Sequence, residues 1–279
     1  MTSQDFRERL RQWLAGLGGQ RLGDLGVGDL ARGGWVGDLR ATIAFYTTLP
    51  LAGATDGAAL ARAAWCAPLV GALIGLLSAL GYWVGVRLNL PPLVAATLAV
   101  IVGLLVTGAL HEDGLADTAD GFGGGATRER ILDIMRDSRI GTFGACALAM
   151  SFILRIGSLA DLPNANHVAW ALVGTHAAAR GMLPLFMLMV PPARPDGLSA
   201  TAGKPSLGGA LTAALIGFVL LWLALGLRNA LIALVPLVIG WLVMAWLTRR
   251  RIGGQTGDVL GALEQVGECL VLMVPAARF

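Results

Sequence analysis

The chain has 279 residues, of which 56% are hydrophobic and 14% charged, with a formal net charge of +3. Soluble domains carry about 25% charged residues, so this composition argues against a soluble enzyme. The 39 glycines and 12 prolines follow no triplet period, and Leu, Val, Ile and Ala dominate, which excludes collagen and low-complexity disorder. An all-α polytopic membrane protein remains. Cys66, Cys146 and Cys269 are far apart in apolar stretches, without metal-ligand spacing or an even count, and read as small packing residues.

Residues 3–17 place Phe6, Leu10, Trp13, Leu14 and Leu17 on one helical stripe, with Arg7, Arg9 and Arg11 elsewhere on the wheel. This predicts an amphipathic helix, lying on an anionic lipid surface or packed on its own domain. Residues 18–34 are Gly- and Asp-rich and read as a linker, so 1–35 forms an N-terminal unit ahead of a membrane-embedded domain over 36–279. The run Ile43 to Leu51 is too short to span and reads as re-entrant or interfacial. Seven candidate spans follow, at about 66–86, 92–110, 142–160, 168–190, 208–227, 229–248 and 258–274, punctuated by Pro91-Pro92, Pro191-Pro192 and Gly253-Gly254.

Lys and Arg accumulate in cytoplasmic loops. With seven spans and the N-terminus inside, 16 of the 21 positive residues fall on one side, in the N-terminal region and in loops 111–141, 191–207 and 249–257. Arg87, Arg228 and Arg278 fall on the other, and Arg155 and Arg180 lie within spans. The topology expected is N-in, C-out.

Seven of the 18 acidic residues crowd into the loop 111–141: Glu112, Asp113, Asp117, Asp120, Glu129, Asp133 and Asp137. If the run HEDGLADTADG is helical, Asp113, Asp117 and Asp120 share one face. Three like charges so close repel unless a cation lies between them, and Mg²⁺ suits a few carboxylates completed by water and substrate phosphates. Asp137 could add a fourth carboxylate. The competing reading is a solvated acidic loop; an EF-hand does not fit the spacing. Arg136, Arg139 and two further arginines in this loop suggest oxyanion binding, although some could be positive-inside anchors. Gly121 and Gly123 to Gly125 would allow backbone amides to approach an anion.

In the last span Gly257, Gly261, Glu264 and Glu268 form one narrow stripe. Small residues let a neighbouring helix approach, and two glutamates within a span read as functional by default. Thr256 and Asp258 stand where they could bind substrate or merely cap the helix. Arg155 and Arg180 are candidates to pair with Glu264, Glu268 or a substrate phosphate, against structural ion pairing. Of the histidines only His111, beside the acidic cluster, stands out, as a proton carrier or a partner of the aspartates.

The run HEDGLADTADG followed by RERILDIMRDSRIGTFG resembles the signature of the cobalamin-5′-phosphate synthase family, also called adenosylcobinamide-GDP ribazoletransferases. His111, Asp113, Gly114, Asp117, Asp120, Gly121, Ile134, Met135, Asp137, Ser138 and Gly141 carry the match. FYTTLP at Phe45 to Pro50, APLVGALIG at Ala67 to Gly75, Arg180, the Ala-Arg-x-x-Gly stretch at Ala193 to Gly197 and GGQTGDVLGALEQVGE extend it over about residues 40–275. The N-terminal extension and the polar LSATAGKPS loop depart from the family pattern but leave the aspartate signature intact.

The resemblance implies a Mg²⁺-dependent transfer in the bacterial cytoplasmic (inner) membrane, with the active site facing the cytoplasm. A ribose hydroxyl of α-ribazole, or of its 5′-phosphate, attacks the cobinamide-linked phosphorus of adenosylcobinamide-GDP and GMP leaves. On this reading Asp113, Asp117, Asp120 and Asp137 hold the metal, and the base is Asp137 or Asp120, then His111. Arg136, Arg139, Arg180, Thr256, Asp258, Glu264 and Glu268 are the candidates for substrate binding. The implied partners are the corrinoid nucleotide, α-ribazole, the lipid bilayer, further copies of the chain and other cobalamin-assembly enzymes, but no nucleic acid. Two alternatives stay open. CDP-alcohol phosphotransferases share part of the Asp pattern, which Asp117, Asp120, Gly121, Asp133 and Asp137 imitate. A divalent-cation transporter would instead line a permeation path with carboxylates.

Overall fold

The computed structural model describes residues 34–50 and 57–277. The N-terminal amphipathic helix and almost all of the linker expected before the membrane domain lie outside them. The described residues form helices α1 Trp35–Tyr46, α2 Gly57–Ala63, α3 Ala67–Arg87, α4 Pro92–Thr107, α5 Leu110–Gly124 and α6 Arg128–Ile134. They continue with α7 Thr142–Ala160, α8 Ala165–Gly181, α9 Leu183–Met189, the single turn α10 Leu198–Thr201, α11 Leu207–Arg251 and α12 Gly257–Ala276. The architecture is all-α; the only β feature among the described residues is an isolated bridge between Pro192 and Gln255.

Five helical stretches are long and apolar enough to cross a membrane: Ala59–Arg87, Thr142–Ala160, Ala165–Met189, Leu207–Arg251 and Gly257–Ala276. The 45-residue α11 would be about 68 Å long if straight, far more than the ~30 Å apolar layer. It is broken at Gly226, whose φ of 78° is open to glycine but costly for other residues. Gly217 packs on α8 at Ala177 and Ala178, and Gly174 on Leu221 and Ala224. Beyond the break, Trp241 meets Phe186 and Arg249 reaches the Met189 carbonyl. The two arms therefore run antiparallel, matching the expected pair 208–227 and 229–248. Outward residues such as Leu215, Leu223, Val235 and Trp246 are exposed apolar surface suited to lipid.

The expected span 92–110 is shorter in the structure. α4 stops at Thr107, and Gly108 and Ala109 both adopt left-handed conformations, with φ of 62° and 57°. The chain bends there by 91° into α5. Four acidic residues, Glu112, Asp113, Asp117 and Asp120, make α5 unfit to cross by itself, and it packs along α7 and α12. The segment after α1 docks on the end of α4: the Thr48 amide donates to the Val106 carbonyl at 2.8 Å and its hydroxyl to the Leu105 carbonyl at 3.0 Å.

Glycines set the helix spacing. A Cβ at Gly75 would lie 2.5 Å from the Leu172 carbonyl oxygen, so α3 and α8 touch backbone to backbone. At the α5–α12 crossing, a Cβ on Gly114 would lie 2.7 Å from the Asp258 carbonyl oxygen and 3.1 Å from the Gly261 Cα. Three loops meet at this end. Arg128 donates to the carbonyls of Ile252 at 2.9 Å and Ala193 at 2.6 Å, and Arg251 donates to those of Phe122 at 3.0 Å and Gly125 at 2.8 Å. The segments around 122–128, 191–193 and 251–255 are thus tied together, as the charge pattern anticipated for their loops.

The glycines after Asp120 do not form an anion-binding loop. Gly121, Gly123 and Gly124 continue α5, and Gly121 and Gly123 pack against Met135 and Phe143. Their small size serves close packing of α6 and α7 on α5. All three cysteines are free; Cys66 and Cys269 are buried packing residues, as expected, whereas Cys146 is exposed on α7 and does not pack in the interior.

Candidate active site

The α5–α12 crossing brings Asp113 and Asp117 of α5 together with Asp258 in the first turn of α12. Burial pushes the Asp117 carboxyl up to about 7, and the negative charges of Asp113, Asp258 and Asp120 add to the shift. Asp258 receives a hydrogen bond from the Thr256 hydroxyl at 3.1 Å and lies 3.7 Å from an Arg194 guanidinium nitrogen. Thr256 also accepts from the Val259 amide at 3.3 Å, so it caps α12 as well as touching Asp258. The other guanidinium nitrogen of Arg194, Nη1, is buried with no partner. The sequence reading passed over Arg194 as a site residue; the signal was its place in the Ala-Arg-x-x-Gly stretch.

Beside this crossing opens a cavity whose empty space, open mouth included, is about 950 Å³. Asp113, Gly114, Asp258 and Gly261 form one wall, and α1, α2 with the turn that follows it, and α9 supply largely apolar walls through Phe45, Leu60, Ala64, Leu183 and Met187. His111 and Tyr46 stand at its inner side with rings stacked, 5.7 Å between centroids and 14° between planes. Burial pushes the Tyr46 hydroxyl up to about 12, against a lowering by Arg180, so it stays a neutral donor. Arg180 Nη2 lies 3.4 Å from His111 Nδ1. A guanidinium only donates, so Nδ1 accepts and the neutral ring carries its hydrogen on Nε2, which is buried without a partner. In that form His111 offers a donor at Nε2 and its only acceptor nitrogen already faces Arg180, so it does not act as a base.

Behind His111 lies a buried ionic cluster drawn from four helices. Arg155 of α7 donates to Glu112 at 3.0 Å and to Glu268 at 2.9 Å. Arg180 of α8 lies 2.5 Å from Glu264 Oε1 and 3.1 Å from Glu268 Oε1, and His176 Nδ1 is 2.5 Å from the same Glu268 oxygen. Gln265 donates to Glu264 at 3.0 Å and accepts from Ser151 at 3.2 Å. Arg180, Glu264 and Glu268 are each no more than 1% exposed. They pair with one another, the structural alternative open for them in the sequence. Glu112 and His176 are members that sequence reasoning did not single out; His176 lies one helical turn before Arg180.

The structure gives the remaining candidates partners of their own. Both oxygens of Asp120 accept backbone amides at the start of α7, from Gly141 at 2.7 Å and Gly144 at 2.9 Å. A Cβ at either glycine would strike that carboxylate. Asp120 thus ties α5 to α7, unlike the free metal ligand or base expected for it. Asp137 lies on the exposed surface in a two-pronged pair with Arg139, at 2.6 Å and 3.0 Å. Hydrogen bonds from Arg139 hold its carboxyl at about 2. Arg136 pairs with Asp196, linking the loops after α6 and α9.

Among the described residues, the only group of three or more potential ligands with atoms within 4.8 Å of one another is His176, Glu264 and Glu268. Its carboxylates already face two guanidinium groups. The aspartates of the crossing carry hard oxygen donors and mutual repulsion, which is the chemistry a divalent ion relieves.

The chain matches the family described as cobalamin-5-phosphate synthase over residues 38–276. It belongs to that family. The match spans every described helix except the first three residues of α1. Among similar relatives is a protein of Bradyrhizobium diazoefficiens named adenosylcobinamide-GDP ribazoletransferase, 54% identical over 245 residues, 87% of this chain and 94% of the relative. Relatives of the same name from Mesorhizobium japonicum and Azorhizobium caulinodans are 48% and 47% identical. The alignments cover 85% of this chain in both cases, and 92% and 94% of the respective relatives. No solved structure matches.

Proposed function

We propose that this chain joins adenosylcobinamide-GDP to α-ribazole, or to α-ribazole 5′-phosphate, releasing GMP. A ribose hydroxyl oxygen forms a bond to the cobinamide-linked phosphorus, the phosphorus–oxygen bond to GMP breaks, and the hydroxyl proton is given up. What carries this reading is the cavity wall where Asp113 and Asp258 meet beside Arg194, joined to the ribazoletransferase name shared by relatives covering most of the chain. That wall offers carboxylate oxygens to take the hydroxyl proton. Arg194 Nη1 and His111 Nε2 are unpartnered donors for phosphoryl oxygens.

Asp113, Asp117 and Asp258 are the residues that would hold Mg²⁺. When bound, the ion neutralises charge on the diphosphate. The bundle lies in a bacterial inner membrane with this end toward the cytoplasm, a reading supported by 16 of 21 positive residues falling on that side. A cation-transport reading gains nothing from the buried glutamates, because Arg155 and Arg180 pair with them.

The test is an assay of GMP and corrinoid product from the protein in nanodiscs, with both substrates, with and without Mg²⁺, alongside Asp117→Asn. Metal-dependent product lost in the variant is expected. Folded wild-type protein that gives no product with either ribazole would overturn the assignment.

A further inference from the structure

We infer that the cavity between α1, α2, α9 and the α5–α12 crossing is the seat of the acceptor's base, a flat apolar benzimidazole, with its ribose turned toward Asp113 and Asp258. This inference rests on the ribazoletransferase reading and deepens it.

The cavity is two-natured. Its α5–α12 wall presents Asp113, Asp258 and His111, whereas α1, α2 with the turn that follows it, and α9 present Phe45, Leu60, Ala64, Leu183 and Met187, with Ser199 of α10 adding one hydroxyl. On the apolar side the Thr42 hydroxyl is already committed to the carbonyls of Asp38 at 2.9 Å and Ala63 at 3.2 Å. The three large groups brought by the two substrates make different demands on such walls. A corrin carries a rim of amides, and guanine an edge with two donor nitrogens and a carbonyl oxygen. Either would leave polar atoms unpaired against aliphatic side chains, which is costly. A benzimidazole joined to ribose has no N–H, and its methyl-bearing edge asks only for apolar contact. Its ring can stack on Phe45, which is itself held edge-on to Tyr46 with 5.0 Å between centroids.

The size agrees with this division: even with its open mouth counted, the empty space is about 950 Å³, so the whole corrinoid nucleotide would have to remain largely outside. With the base inside, the ribose reaches the carboxylate wall, where the acceptor hydroxyl meets the donor's diphosphate coming from the loop side. One cavity thus orients the nucleophile, and the large donor needs only to present its phosphorus at the mouth.

The test uses nanodisc-embedded protein and two substitutions on the apolar walls. Leu60→Trp fills the cavity, and Phe45→Ala removes the stacking ring. Binding of radiolabelled α-ribazole is measured without donor, and KM is measured for each substrate during turnover. Leu60→Trp is expected to weaken α-ribazole binding and raise its KM by about tenfold or more, with the KM for adenosylcobinamide-GDP changed less than about twofold. The loss should be smaller for the riboside of unmethylated benzimidazole. Phe45→Ala should weaken α-ribazole by about tenfold. It takes atoms from a half-buried wall, so it keeps the test alive if Leu60→Trp does not fold.

A raised KM for the donor with an unchanged acceptor would overturn the inference and give the cavity to guanine or the corrin edge. Unchanged binding and KM in both folded variants would also overturn it, leaving a lipid-filled space. Wild-type protein that binds α-ribazole in this cavity without producing GMP would refute the reaction and not the pocket.

Discussion

Gly114→Ala is the sharpest test of the idea that the α5–α12 crossing builds the site. The new methyl would lie 2.7 Å from the Asp258 carbonyl oxygen and 3.1 Å from the Cα atoms of Asp258 and Gly261. Ordinary contact begins near 3.4 Å, so the helices must part by about 0.7 Å. The obstacles are backbone atoms, which cannot rotate away as a side chain would. Overpacking of this kind costs about 1–3 kcal/mol, offset by at most about 1 kcal/mol from replacing a helical glycine. The larger effect should be on turnover, because the displacement carries Asp113 and Asp117 away from Asp258. A misplacement near 1 Å at a reacting centre can cost about a hundredfold in rate. The expected result is a loss of about 10- to 100-fold in kcat, with a thermal midpoint lower by only a few degrees. Gly157→Ala is the control: nothing lies within 4 Å of its Cβ, so activity and stability should stay at wild-type values or better. GMP release and light scattering on heating give the two readouts. A Gly114→Ala enzyme with full activity would refute the claim that this spacing sets the geometry.

Asp120→Ala removes both acceptors for the Gly141 and Gly144 amides. It should cost about 1–2 kcal/mol of stability, seen as a lower thermal midpoint, with Asp120→Asn intermediate. Glu268→Gln leaves Arg155, Arg180 and His176 short of one buried negative charge. A loss of about 3–5 kcal/mol is expected, read as poor recovery of folded protein, and a normal melting curve would remove the cluster's structural role. Asp137 is exposed, and its carboxyl is held at about 2 by Arg139. A lowered folded-state value means that any contribution is present above the ordinary carboxylate value and is lost as the pH falls through about 2. Asp137→Asn should leave the melting curve at neutral pH unchanged; if it nevertheless abolishes GMP release, Asp137 belongs to the reaction. Arg194→Lys keeps the charge but loses the fork, and should raise the donor's KM while sparing α-ribazole binding.

The apolar runs were plain in the sequence, since a span must be long and greasy whatever it packs against. All seven have helical counterparts, yet two features escaped. The 91° turn after α4 depends on left-handed backbone at Gly108 and at Ala109, and the alanine carries no sign of it. The docking of Asp120 on α7 depends on two glycines 21 and 24 residues downstream, which spacing along one helix cannot foresee. Helical periodicity placed Asp113, Asp117 and Asp120 on one face; the tertiary fold then took Asp120 for packing and brought in Asp258 from the other end of the chain. The small-residue and glutamate stripe of the last span was legible because both kinds of residue are conspicuous there. Which arginine met which glutamate was not, because partners come from four helices.

The helix packing and the site are one problem. Water drives apolar faces together in a soluble protein, but within a bilayer lipid is as good a neighbour for leucine as another helix. The position of α12 along α5 must therefore come from contacts that work at a single register. Gly114 against Gly261 lets the backbones touch, and a slip along either helix would bring larger side chains into the gap. Glu264 and Glu268 lie one and two turns further along α12, where Arg155 and Arg180 meet them; a slip would leave buried charges unpaired, at a cost far above that of lost dispersion. The register that satisfies both is the one that sets Asp258 beside Asp113. The interior cluster thus sets the geometry of the candidate site, by leaving the two carboxylate-bearing helices only one way to cross.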